Sequence, residues 1–398
     1  MNMATSMKVL PPRRGSRDSV AGGICDLIAK GTLQPGQQMP THEQLVTQFQ
    51  VSRPTVRAAL DLLEEKGVVR KTNSRSWVVA AAETSQGSLS STVVIVGQPQ
   101  DIAPQPGGSQ GWWPYVQYGA TQGLQAARLH RLLLDQAILD IGPCQQICQA
   151  RPRGVIVLRM AAREAEPLVK VAQDYHIPIV IQGNDPEFET FDRVSSDHAR
   201  GTYLLTKWLA DHGCKRILRV WDVNSALNRY PQWLSDRDAG YESACRDLGL
   251  PSLPAVAPAR PVLPGSSKIS QAAFESSARY WAGWLLEHLQ GREPIDGILT
   301  ISDGPLFPIA AACRLLGREP GQDILLAGYD NYWPDSPERE WEPYVPAVTI
   351  DKNNIEVGRQ LVDVLLSRSE GRLPPEPQHR VVEPTLVVNQ AQFRKPAK

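Results

Sequence analysis

Six short runs of β-branched and aliphatic residues recur through most of this chain, interleaved with helical stretches. That alternation restricts the fold more than any other feature of the sequence. The runs are TVVIVG at 92–97, GVIVL at 154–158, IPIVIQ at 177–182, RILRV at 216–220, GILTI at 297–301 and ILLAGYD at 324–330. Apolar residues at helical spacing occupy 116–129, 163–175, 199–212, 237–248, 275–290 and 305–317. Apolar runs without polar alternation indicate strands buried on both faces, and strand–helix alternation indicates parallel α/β units. More units occur than one small sheet needs, so two α/β lobes are expected. A chain of 398 residues with 42% hydrophobic content has ample material for such cores.

The first 80 residues have a different texture. Residues 1–15 read as a flexible lead and 16–80 as helix, helix, helix and hairpin. Ile24, Leu27 and Ile28 mark the inner face of a first helix that runs from about Asp18 to Lys30 and stops at Gly31. Pro35-Gly36 makes a turn. Thr41 with Gln44 three residues later forms a capping box for a second helix, whose buried face is Leu45, Val46 and Phe49. Ser52 caps a third helix, Pro54 fits its first turn, and Val56, Leu60 and Leu63 form its apolar stripe. Val68–Lys71 and Trp77–Val79 read as a hairpin turning at Asn73-Ser74.

Such a unit presents the start of the third helix to the major groove of DNA. Arg53, Thr55 and Arg57 would be exposed there, and arginine pairs with guanine O6 and N7 or with phosphate. Lys71 and Arg75 on the hairpin would reach backbone or minor groove. Residues 1–84 carry 11 Lys or Arg against 7 Asp or Glu on a chain of net charge zero, which agrees with an anionic partner at this end. The stretch with LQPGQQMPTHEQL, VSRPTVRAALDLLEEKGVV and the hairpin resembles the GntR family of bacterial regulators over about 62 residues. The resemblance implies a winged helix-turn-helix with DNA contacts from Thr41, Ser52, Arg53, Thr55, Arg57, Lys71 and Arg75. Two departures bear on the operator: Glu43 stands where a basic residue is common, and Ser74 where glycine is common.

Residues 81–91, AAETSQGSLSS, read as a linker, and 92–398 as the two-lobed body. Ligands of open α/β sheets bind beyond the carboxyl ends of strands. Ser302, Asp303 and Asp330 lie at such ends, and Arg237 opens a helix near another. Carboxylates accept from hydroxyl groups and guanidinium donates along a fork, so the set suits a hydroxyl-rich ligand. Trp112, Trp113 and Tyr115 follow the first strand of the body in what reads as a loop, Trp221 ends another strand, and Tyr230 and Trp233 precede Arg237. Sugars stack their C–H faces on such rings, although tryptophans equally fill cores.

The order of VSSDHARGTYLLTKWLADHG, RDAGYESACRDLGL, GILTISDGPLFPIAAACRLLG and ILLAGYDN resembles LacI-type regulators and their periplasmic sugar-binding relatives. The resemblance runs from about 92 to 390 and includes VPAVTIDKNNIEVGRQLVDVLL and VEPTLVVNQ. It implies a periplasmic-binding-protein-like sensor of two α/β lobes joined by three crossovers, with an effector held in the cleft by Arg237, Asp303 and Asp330. Ser302 and His198 stand where that family often has asparagine. A GntR-type head on a LacI-type body is the arrangement of arabinose-type repressors. It implies a cytoplasmic homodimer that binds double-stranded operator DNA and a small carbohydrate effector. An activator, or a nucleoside or amino-sugar effector, fits the same residues.

Other classes find less support. The six cysteines, Cys25, Cys144, Cys148, Cys214, Cys245 and Cys313, lack disulfide-framework or zinc-site spacing. No apolar run approaches the ~18 residues of a membrane span, and no apolar segment follows the basic residues Lys8, Arg13 and Arg14 as in a secretory signal. Lys170, Lys207, Lys215, Lys268 and Lys352 have no setting for a pyridoxal-phosphate Schiff base. Asp303 and Asp330 could form a glycosidase-like pair, but strand-end aspartates of this kind more often bind hydroxyls. No enzyme activity, cofactor or metal is therefore expected.

Overall fold

The computed structural model describes residues 17–29, 32–34, 36–65, 68–73, 76–79, 89–97, 113–135, 139–158, 162–221, 230–258 and 270–389. The chain divides into two units, Met1–Ser88 and Leu89–Lys398. The expected lead and residues 81–88 of the expected linker lie outside the described residues.

In the first unit, α1 (Arg17–Ala29), α2 (His42–Phe49) and α3 (Arg53–Glu65) precede an antiparallel hairpin of β1 (Val69–Asn73) and β2 (Ser76–Val79). The capping box forms: Thr41 Oγ1 accepts from the Gln44 amide at 3.3 Å while Gln44 Oε1 accepts from the Thr41 amide at 2.8 Å. Gln50 adopts the left-handed conformation at φ 51° and turns the chain sharply from α2 toward α3. Residues 36–39 line up beside β2, with the Met39 amide donating to the Trp77 carbonyl at 2.8 Å and the Val79 amide to the Gln37 carbonyl at 2.9 Å. Ile24, Leu45, Val56, Leu60, Leu63 and Trp77 meet in one core, as their helical and alternating spacings require.

The second unit holds two sheets. The first lobe has β3 (Thr92–Gly97), β4 (His130–Asp135), β5 (Gly154–Val157), β6 (Ile179–Gln182), β7 (Asp192–Ser196) and β12 (His379–Val382), in the order β12-β7-β6-β5-β3-β4, all parallel. Its helices are α4 (Trp113–Ala126), α5 (Ile141–Gln149), α6 (Ala162–Asp174) and α11 (Asn354–Ser369). The second lobe has β8 (Ile217–Val220), β9 (Gly297–Thr300), β10 (Leu325–Ala327), β11 (Val348–Asp351) and β13 (Thr385–Val388), in the order β13-β11-β10-β9-β8, with β13 antiparallel. Helices α7 (His198–Asp211), α8 (Gln232–Leu248), α9 (Gln271–Gln290) and α10 (Asp303–Leu315) cover it.

The continuous apolar runs follow from two-sided burial. In β3, Val94 and Val96 enter one core with Cys144 and Leu168, while Val93 and Ile95 enter another with Val116 and Leu361. Three chain crossings connect the lobes: β7 to α7, β11 to α11, and β12 to β13. They are tied together. Ser196 Oγ donates to the Lys352 carbonyl at 2.9 Å, and Asn353 Nδ2 donates to the Glu383 carbonyl at 2.6 Å and to Thr385 Oγ1 at 3.1 Å.

Several elements differ from the sequence expectation. The helix expected at 116–129 spans Trp113–Ala126, because HRLLLD at 130–135 forms edge strand β4. The helix expected from Arg237 starts at Gln232, directly after Pro231, which is extended. Residues 259–269 of the Pro- and Ser-rich stretch lie outside the described residues.

Helices α4 and α11 approach closely enough for their backbones to touch. A Cβ on Gly119 would collide with the Ile355 carbonyl, and one on Gly358 with the Val116 carbonyl. We expect Gly358→Ala to destabilise the protein by about 1–3 kcal/mol, since neither backbone can yield. Gly142→Ala, where nothing lies within 4 Å, should be neutral or stabilise by up to about 1 kcal/mol. Melting temperatures of the two variants check the contrast.

Candidate functional site

Two surfaces carry the predicted site residues. On the first unit, Ser52 Oγ lies 2.8 Å from Thr55 Oγ1 and accepts from the Thr55 amide at 3.4 Å, so the start of α3 is capped as its sequence implies. Thr41 caps α2. Arg53 and Arg57 are exposed and Thr55 is half-buried. Arg53 is ion-paired with Glu43 of α2, and both side chains are solvated, at 67% and 78% exposure. Glu43 is thus a carboxylate laid beside the leading arginine of α3. The Lys71 ammonium lies over the Trp77 ring, 5.3 Å from its centroid, on an exposed residue. Arg75 lies outside the described residues. The chemistry available is a capped helix start with guanidinium groups and free amides, suited to phosphate and base edges.

On the second unit, the carboxyl ends of β9, β10 and β11 converge beside α8. Asp303 is wholly buried at the first turn of α10. Its Oδ2 accepts from the Tyr332 amide at 2.7 Å and the Trp333 amide at 3.0 Å, and its Oδ1 from Thr349 Oγ1 at 2.8 Å. Both oxygens are therefore engaged in holding the turn after β10. Burial pushes this carboxyl up to about 8, opposed by the Thr349 hydrogen bond and reinforced by the nearby Asp330 charge. Ser302 precedes it half-buried, its Oγ accepting from Tyr332 Oη at 3.3 Å.

The turn itself is strained. Asp330 and Asn331 have φ of 88° and 54°, a conformation seldom adopted by residues with a side chain. Asp330 is buried, its amide donates to the Ile350 carbonyl at 2.7 Å, and its Oδ1 pairs with Lys352 Nζ at 2.7 Å. Beside it, Arg237 is 2% exposed, donates to the Ile301 carbonyl and lies over the Tyr329 ring at 3.5 Å. Trp233, one helical turn earlier on α8, flanks the same guanidinium at 4.9 Å. His198, on the first crossing, sits 6.2 Å from Trp233 and 6.4 Å from Tyr329 between ring centroids. Burial, then the charges of Arg237 and Lys352, lower its pKa well below the ordinary value and keep it neutral.

The first lobe reaches this region through side chains. Tyr115 Oη donates to Asp335 Oδ2 at 2.8 Å, and burial, then this bond, push the phenol up to about 12. Asn184 Nδ2 donates to Asp236 of α8, and the Gln232 amide to Asp185 Oδ1 at 3.4 Å. Hydrogen bonds thus span the lobes at both Tyr115 and Asn184.

Of the sequence-predicted residues, Trp233, Arg237, Asp330 and Asp303 come together here, and Tyr115 joins them across the lobes. Tyr115 belongs to a helix, not the expected loop; the Trp113 side chain and all of Trp112 lie outside the described residues. Trp221 is placed in the second-lobe core with Leu299 and Tyr241, 1% exposed, its indole donating to Asp238 Oδ1 at 2.9 Å. Tyr230 is exposed and donates to Asp238 as well. Sequence reasoning assigned no ligand role to His198, Lys352 or Tyr329. Lys352 directly follows the carboxyl end of β11, so the strand-end rule that selected Asp303 and Asp330 would have selected it too.

Comparison with known proteins divides at the same place. Residues 17–79 match the family model of bacterial regulatory proteins, gntR family, and 206–390 match the periplasmic binding protein-like domain. The HTH-type transcriptional repressor NanR of Enterobacter sp. (strain 638) is 34% identical over 98 residues, 24% of this chain and 35% of that protein. The arabinose metabolism transcriptional repressor of Geobacillus stearothermophilus is 25% identical over 201 residues, 49% of this chain and 53% of that protein. The chain thus matches only about a third to a half of these relatives' length. A regulatory protein of the LacI family from Chloroflexus aggregans superposes with TM-score 0.58 at 20% identity, covering 75% of this chain and 98% of that one. The transcriptional regulator CelR in complex with cellobiose gives 0.57 at 18% identity, covering 88% and 99%. The chain therefore carries a GntR-type helix-turn-helix and a periplasmic-binding-protein-like body of the fold seen in LacI-family regulators.

A raised carboxyl pKa has a signed consequence for stability. The neutral form of Asp303 is favoured in the folded protein, so its contribution is complete below the unfolded pKa and is lost as pH rises through about 8. Asp303→Asn copies the neutral form and can still accept from both amides. Between about pH 5 and about pH 9 the variant's melting temperature should therefore gain on the wild type's. A constant difference across that range would mean that Asp303 titrates as an ordinary carboxyl.

Proposed function

We propose that this chain is a sequence-specific DNA-binding transcription regulator, acting as a repressor, whose operator affinity is set by a small sugar-like effector in the cleft of the body. The observation that carries the reading is the union in one polypeptide of two features. One is a capped helix offering Arg53, Thr55 and Arg57 to solvent. The other is a cleft floor where Arg237, Trp233 and Asp330 converge at strand ends. The comparisons support the same pairing, since NanR and the arabinose-metabolism relative are named as repressors and a further relative as the maltose regulon regulatory protein MalI.

In this reading α3 enters the major groove and Arg53 and Arg57 contact bases or phosphates, with Thr41, Lys71 and Arg75 on the flanking backbone. A homodimer places two heads on a pseudo-palindromic operator, with half-sites ~34–36 Å apart or at multiples of that spacing. Effector bound between the lobes alters the bonds at Tyr115–Asp335 and Asn184–Asp236 and so the pairing of the bodies. Coupling of this type is about 1–3 kcal/mol. Aromatic faces of Trp233 and Tyr115 suit the C–H faces of a sugar. The site is built for binding and not for catalysis, because Asp303 is enclosed by its own donors and Asp330 is held by Lys352. Among the described residues no helix is long and apolar enough to cross a membrane. A regulator of this kind works in the cytoplasm, where its DNA is.

Binding of purified protein to DNA flanking its own gene tests the head. Arg57→Ala should weaken specific binding by about 1–3 kcal/mol. Glu43→Gln, which frees Arg53 from its ion pair and removes a charge facing the phosphates, should have the opposite sign: tighter binding and a steeper loss with salt. Unchanged affinity in both variants would remove the start of α3 from the interface.

A further inference from the structure

Among the described residues, one cation of the cleft floor has no carboxylate beside it. Arg237 is the most deeply buried described arginine, at 2% exposure, and it has no carboxylate partner among the described residues. Its neighbours are the Ile301 carbonyl and the Tyr329 and Trp233 rings, and its Nε has no hydrogen-bond partner. The contrast within the same unit is sharp. Arg219, buried at 5%, is paired with Asp238; Arg314 is held by Glu319 and Glu342; Arg368 is held by both oxygens of Asp192. Neutral aromatic and carbonyl neighbours lower the cost of burying a guanidinium but do not cancel its charge.

The same side of the cleft carries a second buried cation, Lys352, and a neutral imidazole between the two, His198, whose Nδ1 also lacks a hydrogen-bond partner. Lys352 is matched by Asp330, so the uncompensated charge is that of Arg237. Acidic groups also stand around the site: Tyr115 donates to Asp335, and Asn331 Nδ2 reaches Asp351 at 3.4 Å. The cationic and the acidic groups therefore ask for different groups on one ligand.

We propose that the effector is an anionic polyhydroxy compound, a sugar acid or a sugar phosphate, whose carboxylate or phosphate lies against Arg237, His198 and Lys352 while its hydroxyl groups face Tyr115 and Asp335. The proposal rests on the reading of this cleft as the effector site and narrows its chemistry. Carboxylate and phosphate share the property that matters: a fixed negative charge with several acceptor oxygens for a guanidinium fork, an ammonium and an imidazole N–H. The hydroxyl groups of a neutral sugar would accept from Arg237 but leave its charge uncompensated.

Anion binding also changes what His198 experiences. The groups around it are Asp197 beside it on the crossing, Trp233 and Arg237 from α8, Tyr329 after β10, and Lys352 with its partner Asp330 after β11. An anion there screens the two cations that oppose its protonation, so the imidazole takes up a proton as the ligand binds.

The test uses matched probes on the full chain at constant ionic strength: D-glucitol and D-glucose against D-gluconate, D-glucuronate and D-glucose 6-phosphate, read by thermal shift and calorimetry. The expected result is a rise in melting temperature with an acid or a phosphate and none with its neutral counterpart. A response to the acids alone, or to the phosphate alone, supports the proposal and identifies the anionic group. Equal stabilisation by neutral and charged members overturns the anionic assignment and leaves the effector cleft standing. No stabilisation by any probe overturns both. For the responding probe, calorimetry in two buffers of different ionisation enthalpy should show proton uptake that His198→Gln abolishes. The double variant Lys352→Met/Asp330→Asn, which removes the pair without stranding a charge, should lose at least tenfold in affinity for the charged probe. Unchanged affinity there, with proton uptake absent in the wild type, places the anion elsewhere and overturns the assignment.

Discussion

The cleft depends on one buried carboxyl group, that of Asp303. Asp303 ends the β9 connection and opens α10, and from there it gathers two backbone amides after β10 and one hydroxyl from β11. Three adjacent strand ends are thereby joined through a single side chain. The bond network holds the 329–333 turn in a conformation that its residues would not choose alone, with Asp330 and Asn331 at positive φ. That turn is what puts Tyr329 beneath Arg237 and turns Asp330 toward Lys352. Gly328 is part of the arrangement, since a Cβ there would collide with Asp303 Oδ1. Burial of a carboxyl is costly, and the compensation is that its donors are all internal and need no rearrangement when a ligand arrives.

Around that centre, the residues of the cleft sit on the parts of the chain that pass between lobes. His198 follows the first crossing and Lys352 opens the second, and Ser196 bonds directly to the Lys352 carbonyl. A ligand held by these side chains would act on the crossings themselves, without a relay through the cores. The hydrogen bonds from Tyr115 and Asn184 across the lobes are few and polar, whereas each lobe is closed by two apolar cores. Polar contacts of this kind exchange with water at small net cost, so relative motion of the lobes is the soft coordinate of the body. The head has its own core.

How much of this was legible in advance follows from the range of each signal. The head was read almost residue by residue: Thr41 with Gln44, Ser52 as the cap of α3, and the Leu45, Val56, Leu60 and Leu63 positions all declare themselves within a few residues. The long apolar runs announced parallel strands for the same reason. Edge strand β4 was missed because HRLLLD alternates weakly and follows a helix directly. The start of α8 was placed five residues late because its first turn holds Gln232 and Trp233, which carry no capping signal. Trp221 could not be sorted between core and cleft from its position at a strand end; its fate depends on Asp238 and on Leu299 of a neighbouring strand.

The sequence alone determined the two kinds of unit, the helix caps, which strands are buried on both faces, and which polar residues stand at strand ends. Each of those properties depends on neighbours a few positions away, and local spacing records them. Tertiary structure alone decided which charges meet. Residues 198 and 237 lie on α7 and α8, 330 and 352 follow β10 and β11, and their pairing is set by strand order and crossing geometry. That Glu43 holds Arg53, that Lys352 holds Asp330, and that Arg237 is left among the described residues with aromatic faces and no carboxylate are outcomes of distance in space. Electrostatic energy falls with that distance and takes no account of separation along the chain.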